Sequence, residues 1–113
     1  MCTVSCALDM LGDKWTQLLL RDLLLGKGTY SEFQKSPEGI PTNILASRLK
    51  RLQAEGILAR EPYQQNPPRY RYKLTGKGRD LAPILLAMVD WSNRHIDGTV
   101  SRADIEAMLG QVN

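Results

Sequence analysis

Apolar positions fall three and four residues apart over most of the chain and switch to strict alternation over one short stretch. Val4, Leu8 and Leu11 form a stripe with Ala7 beside it, predicting a first helix over residues 2–11 that Gly12 ends. Asp13 is placed to cap a second helix from Lys14 to Leu25. That segment is apolar on nearly every side (Leu18, Leu19, Leu20, Leu23, Leu24, Leu25), as expected of a central helix covered by its neighbours and by a second subunit. Gly26-Lys27-Gly28 stops it, and Thr29 and Tyr30 suit a short strand. Ser31-Glu32-Phe33-Gln34 has the S-x-x-Q spacing of a capping box and predicts a short third helix with Phe33 inward. Ser36-Pro37-Glu38-Gly39 reads as a turn.

The stretch from Thr42 to Gly56 predicts one more helix, with Thr42 as its N-cap and Gly56 as its stop. Ile44, Leu45, Leu49 and Leu52 share its inner stripe; Asn43, Ser47, Lys50 and Ala54 fall opposite, flanked by Arg48 and Arg51. Two short helices joined by a tight turn, the second small and basic outside, have the form of a helix-turn-helix. Residues 57–63 then read as a strand whose end Pro62 makes an edge or a bulge. After the polar tip Gln64-Gln65-Asn66-Pro67-Pro68, alternation is cleanest in Arg69–Leu74: Tyr70, Tyr72 and Leu74 on one face, Arg69, Arg71 and Lys73 on the other. A hairpin beside a helix-turn-helix is a wing. Thr75 is placed to cap a following helix that runs to about Ile96, with Pro83 predicting a kink or a late start. Gly98 ends it, and Ser101-Arg102-Ala103-Asp104 opens a last short helix with Ile105, Met108, Leu109 and Val112 apolar. The predicted fold is therefore mainly α with a small β-hairpin wing, a winged helix-turn-helix in one domain over residues 1–113. Its core would span about residues 13–79, and residues 1–12 and 80–113 would supply dimerisation helices, because the terminal segments carry more apolar surface than a small domain needs.

Charge sharpens this picture. The net charge of +3 is uneven: residues 1–41 carry −1, residues 42–79 carry +7 and residues 80–113 carry −3. A basic middle between neutral or acidic ends points to one polyanion-binding surface, with ends free to pair with protein. The small and amide side chains Thr42, Asn43, Ala46 and Ser47 could approach base edges in a major groove, with Arg48, Lys50 and Arg51 at phosphates or guanine. Arg69 and Arg71, with Gln65 and Asn66 at the tip, would serve the wing. The expected partners are double-stranded DNA and a second copy of the chain. The rival reading, a winged-helix protein-interaction module without DNA function, has the two basic faces against it.

Other classes recede. No apolar run approaches the ~20 residues of a membrane span, and the start has neither a basic n-region nor an apolar h-region, so no signal peptide and a cytoplasmic location are expected. There is no Gly-rich phosphate loop after a strand and no Ser/His/Asp set, so no enzyme activity is expected. Two cysteines and one histidine are too few for a standard zinc site, so neither metal nor cofactor is expected. Cys2 reads either as an exposed sensor thiol at the dimer surface or as a frayed terminal residue, and Cys6 as a small core residue. Trp15 and Trp91 suit either core packing or a ligand pocket at the dimer interface, and His95 the surface near a helix end.

Cys2 followed by Leu8-Asp9-Met10-Leu11-Gly12-Asp13-Lys14-Trp15 resembles the N-terminal signature of the HxlR-type transcriptional regulators: a Cys, a short spacer, then L-D-x-[IL]-G-x-K-W. The resemblance continues through Tyr30-Ser31-Glu32-Phe33, Gly39-Ile40-Pro41-Thr42-Asn43-Ile44-Leu45, Arg48-Leu49-Lys50-Arg51-Leu52, Pro67-Pro68-Arg69-Tyr70 and Gly78-Arg79-Asp80-Leu81, covering roughly residues 2–92. It implies a dimeric winged helix-turn-helix DNA-binding protein of bacteria or archaea that represses or activates genes. It also implies an effector, since several members sense oxidants or electrophiles, such as aldehydes and quinones, through the N-terminal cysteine. Three departures stand out. Many members have Ser-Pro-Lys at Pro41-Thr42-Asn43, and many have Pro where this chain has Thr3; Cys6 is additional. An operator sequence therefore does not carry over.

Overall fold

The computed structural model describes residues 2–112, with side chains through residue 107. The elements run α1 (Thr3–Leu11), α2 (Lys14–Leu24), α3 (Tyr30–Gln34), α4 (Thr42–Ala54), β1 (Leu58–Gln64), β2 (Arg69–Leu74), α5 (Gly76–Arg79), α6 (Ala82–His95) and α7 (Arg102–Val112). Helices dominate, and β1 and β2 form an antiparallel hairpin.

The core sits where α2, α3 and α4 meet the hairpin. Leu19, Leu20 and Leu23 of α2, Phe33 of α3, Leu45, Leu49 and Leu52 of α4, and Ile57, Leu58 and Tyr72 of the hairpin region are all buried. The i, i+4, i+7 spacing of Leu45, Leu49 and Leu52 puts them on one stripe of α4, which fixes the helix's rotation and turns Asn43, Ser47 and Lys50 outward. Burying each of these leucines stabilises the fold by roughly 2 kcal/mol. The α2 helix also buries a charge, which its apolar pattern concealed. Asp22 is 2% exposed; it accepts from Ser36 Oγ at 2.5 Å and from the Arg21 guanidinium at 2.9 Å. Lys27 Nζ lies 3.8 Å away. A buried carboxylate is tolerated when its lone pairs are met this way.

Several element ends differ from expectation. The capping box of α3 uses Thr29 and Glu32, not Ser31 and Gln34: Glu32 N donates to Thr29 Oγ1 at 3.3 Å, and Thr29 N donates to Glu32 Oε1 at 3.1 Å. Thr29 has extended φ and ψ, as an N-cap requires, which leaves Ser31 inside the helix. Thr29 and Tyr30 form no strand. Instead one bond, Tyr72 N to Gly28 O at 2.8 Å, ties the free edge of β2 to the chain ahead of α3. The approach is close enough that a Cβ at Gly28 would sit 2.6 Å from the Tyr72 carbonyl. Thr42 is the first helical residue of α4, and Pro41 occupies the N-cap with no side-chain bond; Pro cannot cap, so the first-turn N–H groups stay open. Gly56, with φ +75, ends the helix as expected.

The hairpin pairs Leu58 with Leu74 and Pro62 with Tyr70, with an irregularity between Pro62 and Gln64 where Pro62 was expected to make an edge or a bulge. Thr75 caps only the four-residue α5, accepting from Gly78 N at 3.2 Å. Pro83, in the first turn of α6, marks the late start rather than a kink. Along α6, Leu85 is half-buried against the core, whereas Ile84, Met88 and Trp91 are 42%, 48% and 60% exposed. Ser101 caps α7, accepting from Asp104 N at 3.2 Å. Met108, Leu109 and Val112 lie outside the residues whose side chains are described.

The turn before α4 is pinned from beneath by Arg21, which donates to both Glu38 oxygens at 2.8 Å. The Arg21 bond holds the Glu38 carboxyl down at about 2, from an ordinary value of 4.5. A depressed carboxyl stabilises the fold fully above pH 4.5, and that contribution fades as pH falls toward 2. Glu38→Gln should therefore be less stable than the wild type at pH 7 in urea unfolding, with the difference gone by about pH 2. A pH-independent difference would place the loss in packing, not in charge.

Candidate nucleic-acid interface

The outward face of α4 is set by the three buried leucines beneath it. Thr42, Asn43, Ala46, Ser47 and Lys50 are all exposed and share that face. The open first-turn N–H groups lie at its N-terminal end, where the helix dipole favours anions.

The arginines divide. Arg48 turns sideways, and its Nε donates to Asp13 Oδ2 at 2.7 Å. Asp13 also accepts from Thr16 N at 3.0 Å, so one carboxylate caps α2 and clamps α4 to it. Arg48's hydrogen bond holds the Asp13 carboxyl far below the usual carboxylate range. Arg51 is exposed and donates to the Asp9 carbonyl of α1. Arg48 and Arg51 thus fasten the helix to α1 and α2, while Lys50 carries the unpinned charge on the open face.

The hairpin places Gln65, Asn66 and Arg69 at its exposed tip. Arg71 was expected on the outer face with Arg69 and Lys73; it is half-buried instead. Its guanidinium lies 3.4 Å from Glu32 and donates to the Gly26 carbonyl at 3.5 Å. The cause is the Gly28–Tyr72 bond, which brings residues 26–32 over that side of β2. Arg60 was missed by sequence reasoning: it lies on exposed β1, 4.1 Å over the Tyr70 ring. Its place in the alternating stretch beside Tyr70's strand was the available signal.

Both thiols are exposed and unbridged. Cys2 is the N-cap of α1. Cys6 was expected in the core, but α1 buries only Leu11, at its C-terminal end, and Cys6 stands a turn and a half before it, beyond the core's edge. Trp15 lines a narrow crevice with Phe33 and Ile40, whereas Trp91 is exposed on α6 against His95, ring centroids 5.2 Å apart. The two tryptophans share none of the cavities described. No metal-binding group of three or more His, Cys, Asp or Glu occurs among the described residues, and no helix there is long and apolar enough to cross a membrane.

A helix-turn-helix with a basic hairpin on this scaffold has counterparts. A family model described as HxlR-like helix-turn-helix matches residues 10–100. The chain belongs to that family. The uncharacterized HTH-type transcriptional regulator YdeP of Bacillus subtilis is 40% identical over 96 residues, covering 85% of this chain and 75% of that protein. YybR of the same organism is also 40% identical, over 97 residues, covering 84% and 78%. Among solved structures, the redox regulator HypR in its oxidized form superposes with a TM-score of 0.76 at 38% identity, covering 85% of this chain and 99% of that one. The reduced form of the transcriptional regulator YodB from B. subtilis gives 0.71 at 28%, covering 88% and 99%. The fold of this HxlR-like chain is a winged helix-turn-helix, and its family and neighbours are transcriptional regulators, not enzymes.

Proposed function

We propose that this HxlR-like regulator binds a near-palindromic operator as a homodimer and answers to oxidants or electrophiles through Cys2. The observation that carries the DNA reading is the open face of α4, where Thr42, Asn43, Ala46, Ser47 and Lys50 are exposed over the buried Leu45, Leu49 and Leu52. Asn43 and Ser47 read base edges, with Thr42 and Ala46 close enough to the groove to shape it. Lys50 contacts phosphate, Arg48 and Arg51 fix the helix and flank the backbone, and Arg69, Arg71, Gln65 and Asn66 act through the wing. Dimerisation is supported by apolar side chains exposed at regular spacing on two helices: Val4 (65%) and Leu8 (60%) on α1, and Ile84, Met88 and Trp91 on α6. Trp91, exposed on α6, belongs to that dimer surface, and Trp15 of α2 adds to it. Paired recognition helices would then lie about 34 Å apart, one DNA turn. The thiol reading rests on the exposure of Cys2 and on likeness to a protein named a redox regulator.

The test is fluorescence anisotropy of a labelled duplex from the DNA upstream of the protein's own gene, against a scrambled duplex, across salt, with and without reductant. Selective binding by about 10³ or more is expected. Lys50→Ala should weaken binding and lower the slope of log affinity against log salt by about one unit. An unchanged slope would remove Lys50 from the phosphates. Cys2→Ser should abolish the reductant effect, and an effect that survives it would assign sensing elsewhere. Equal binding to both duplexes, gone by physiological salt, would sink the operator reading for that DNA.

A further inference from the structure

The DNA-binding reading leaves Lys27, Lys73 and Arg79 unused, and these three gather around Arg71 of the wing. Behind the hairpin, where the C-terminal end of α2 meets β2 and α5, lies a cavity of about 340 Å³ bordered by Lys27, Arg71, Lys73 and Arg79. Among the described residues, no acidic side chain and no part of the recognition helix lines it. Its volume falls at the small end of the range of ligand pockets, roughly 300–1,000 Å³.

The acids that face these cations approach from outside the cavity. Glu32 lies 3.4 Å from Arg71, Glu61 3.2 Å from Lys73 and Asp22 3.8 Å from Lys27. Asp22 is divided between Lys27 and Arg21, and Lys27 Nζ also donates to Ser36 Oγ at 3.0 Å. Arg79 donates to the Leu74 carbonyl at 3.0 Å and has no acidic partner among the described residues. Each arginine has five N–H donors, so both retain donors for an incoming anion. The two rim carbonyls, of Gly26 and Leu74, already accept from Arg71 and Arg79 and do not oppose it. The rest of the wall is apolar: Leu23 and Tyr72 are buried at its floor, and Leu24 and Leu74 are half-buried at its sides. Polar anchors of one sign over an apolar wall are the features of a site for an amphipathic anion. Arginine presents the planar fork that a carboxylate takes in bidentate fashion.

We propose that this cavity binds a small organic carboxylate, its charge held by Arg71, Lys73 and Arg79 and its apolar body laid against Leu24 and Leu74. Binding needs no DNA; only its service as an effector site rests on the regulator reading.

The test uses the full chain and 2-naphthoate as probe, with 2-naphthalenemethanol as the uncharged counterpart, by calorimetry and amide chemical shifts. Saturable naphthoate binding is expected, with shifts centred on Gly26, Tyr72 and Leu74 and the alcohol at least about tenfold weaker. The double variant Lys73→Gln/Arg79→Gln should fold normally, since both side chains are exposed, and lose at least about tenfold in naphthoate affinity. Its affinity for duplex DNA and its salt slope should stay those of the wild type. No saturable binding at about 10 mM probe would overturn the proposal. So would alcohol binding as well as naphthoate, or the double variant retaining full affinity. A duplex salt slope lowered by about two units in the double variant would give these cations to DNA phosphates instead. Naphthoate binding by a wild type that fails to select any duplex would leave the site standing and remove the regulator reading alone.

Discussion

Ser47→Glu should lower affinity for the cognate duplex by about 100-fold or more and leave the protein folded. Ser47 is exposed in the middle of the open face of α4, beside Asn43 and Lys50. Among the described residues its side chain makes one hydrogen bond, a long one accepted from Arg48 Nη1 at 3.5 Å. The helix loses nothing by the change, because Glu is at least as good a helix former as Ser. A carboxylate there also lies four residues before Arg51, a favourable spacing on a helix surface. Placed in a major groove, the same carboxylate faces base-edge acceptors and two rows of phosphates. Like charges brought together in an interface cost several kcal/mol, and a 100-fold loss corresponds to about 2.7 kcal/mol. Anisotropy should show the loss, and thermal melting by circular dichroism should move by less than about 3 °C, as for a surface change. Binding within threefold of wild type would mean that another face of the protein meets DNA.

Phe33→Ala should lower stability by about 3–5 kcal/mol. Phe33 is 0% exposed and is the largest fully buried side chain among the described residues. The helix that carries it, α3, has only five residues and cannot persist without packing. Removing the ring opens a cavity beneath the turn that presents α4, bounded by Trp15, Leu19 and Ile40. Against a typical total of about 5–15 kcal/mol, the loss is about a fifth or more. Urea unfolding at fixed protein concentration measures it, because dimerisation would make stability concentration-dependent. A loss below about 1 kcal/mol would show that the site collapses to fill the void, or that Phe33 does not hold α3 to the core.

The two predictions draw on different kinds of information. Ser47's outward position was legible in the spacing of Leu45, Leu49 and Leu52, since a helix carrying three leucines on one stripe has only one way to face a core. Phe33's burial was equally legible, although the cap of its helix was not. Ser31 and Thr29 both precede residues suited to a capping box, and the choice between them falls to backbone geometry set by the Gly28–Tyr72 bond. The exposure of Cys6 could not be read either. A helical stripe says which side faces inward but not how far along the helix the core reaches, and the core reaches only the last turn of α1.

The sequence by itself determined the helix-turn-helix, the hairpin with its irregularity at Pro62, the basic middle and the face of α4 turned to solvent. All of these follow from local periodicity, turn chemistry and charge counted along the chain. Which charges remain available was decided only by the tertiary structure. Arg48 finds Asp13 thirty-five residues away, Arg51 finds the Asp9 carbonyl, and Arg71 folds over Gly26 toward Glu32. A guanidinium beside a carboxylate or a carbonyl is no longer the free cation its sequence position suggests. Such partners are brought together by packing between elements, and spacing within an element carries no record of them.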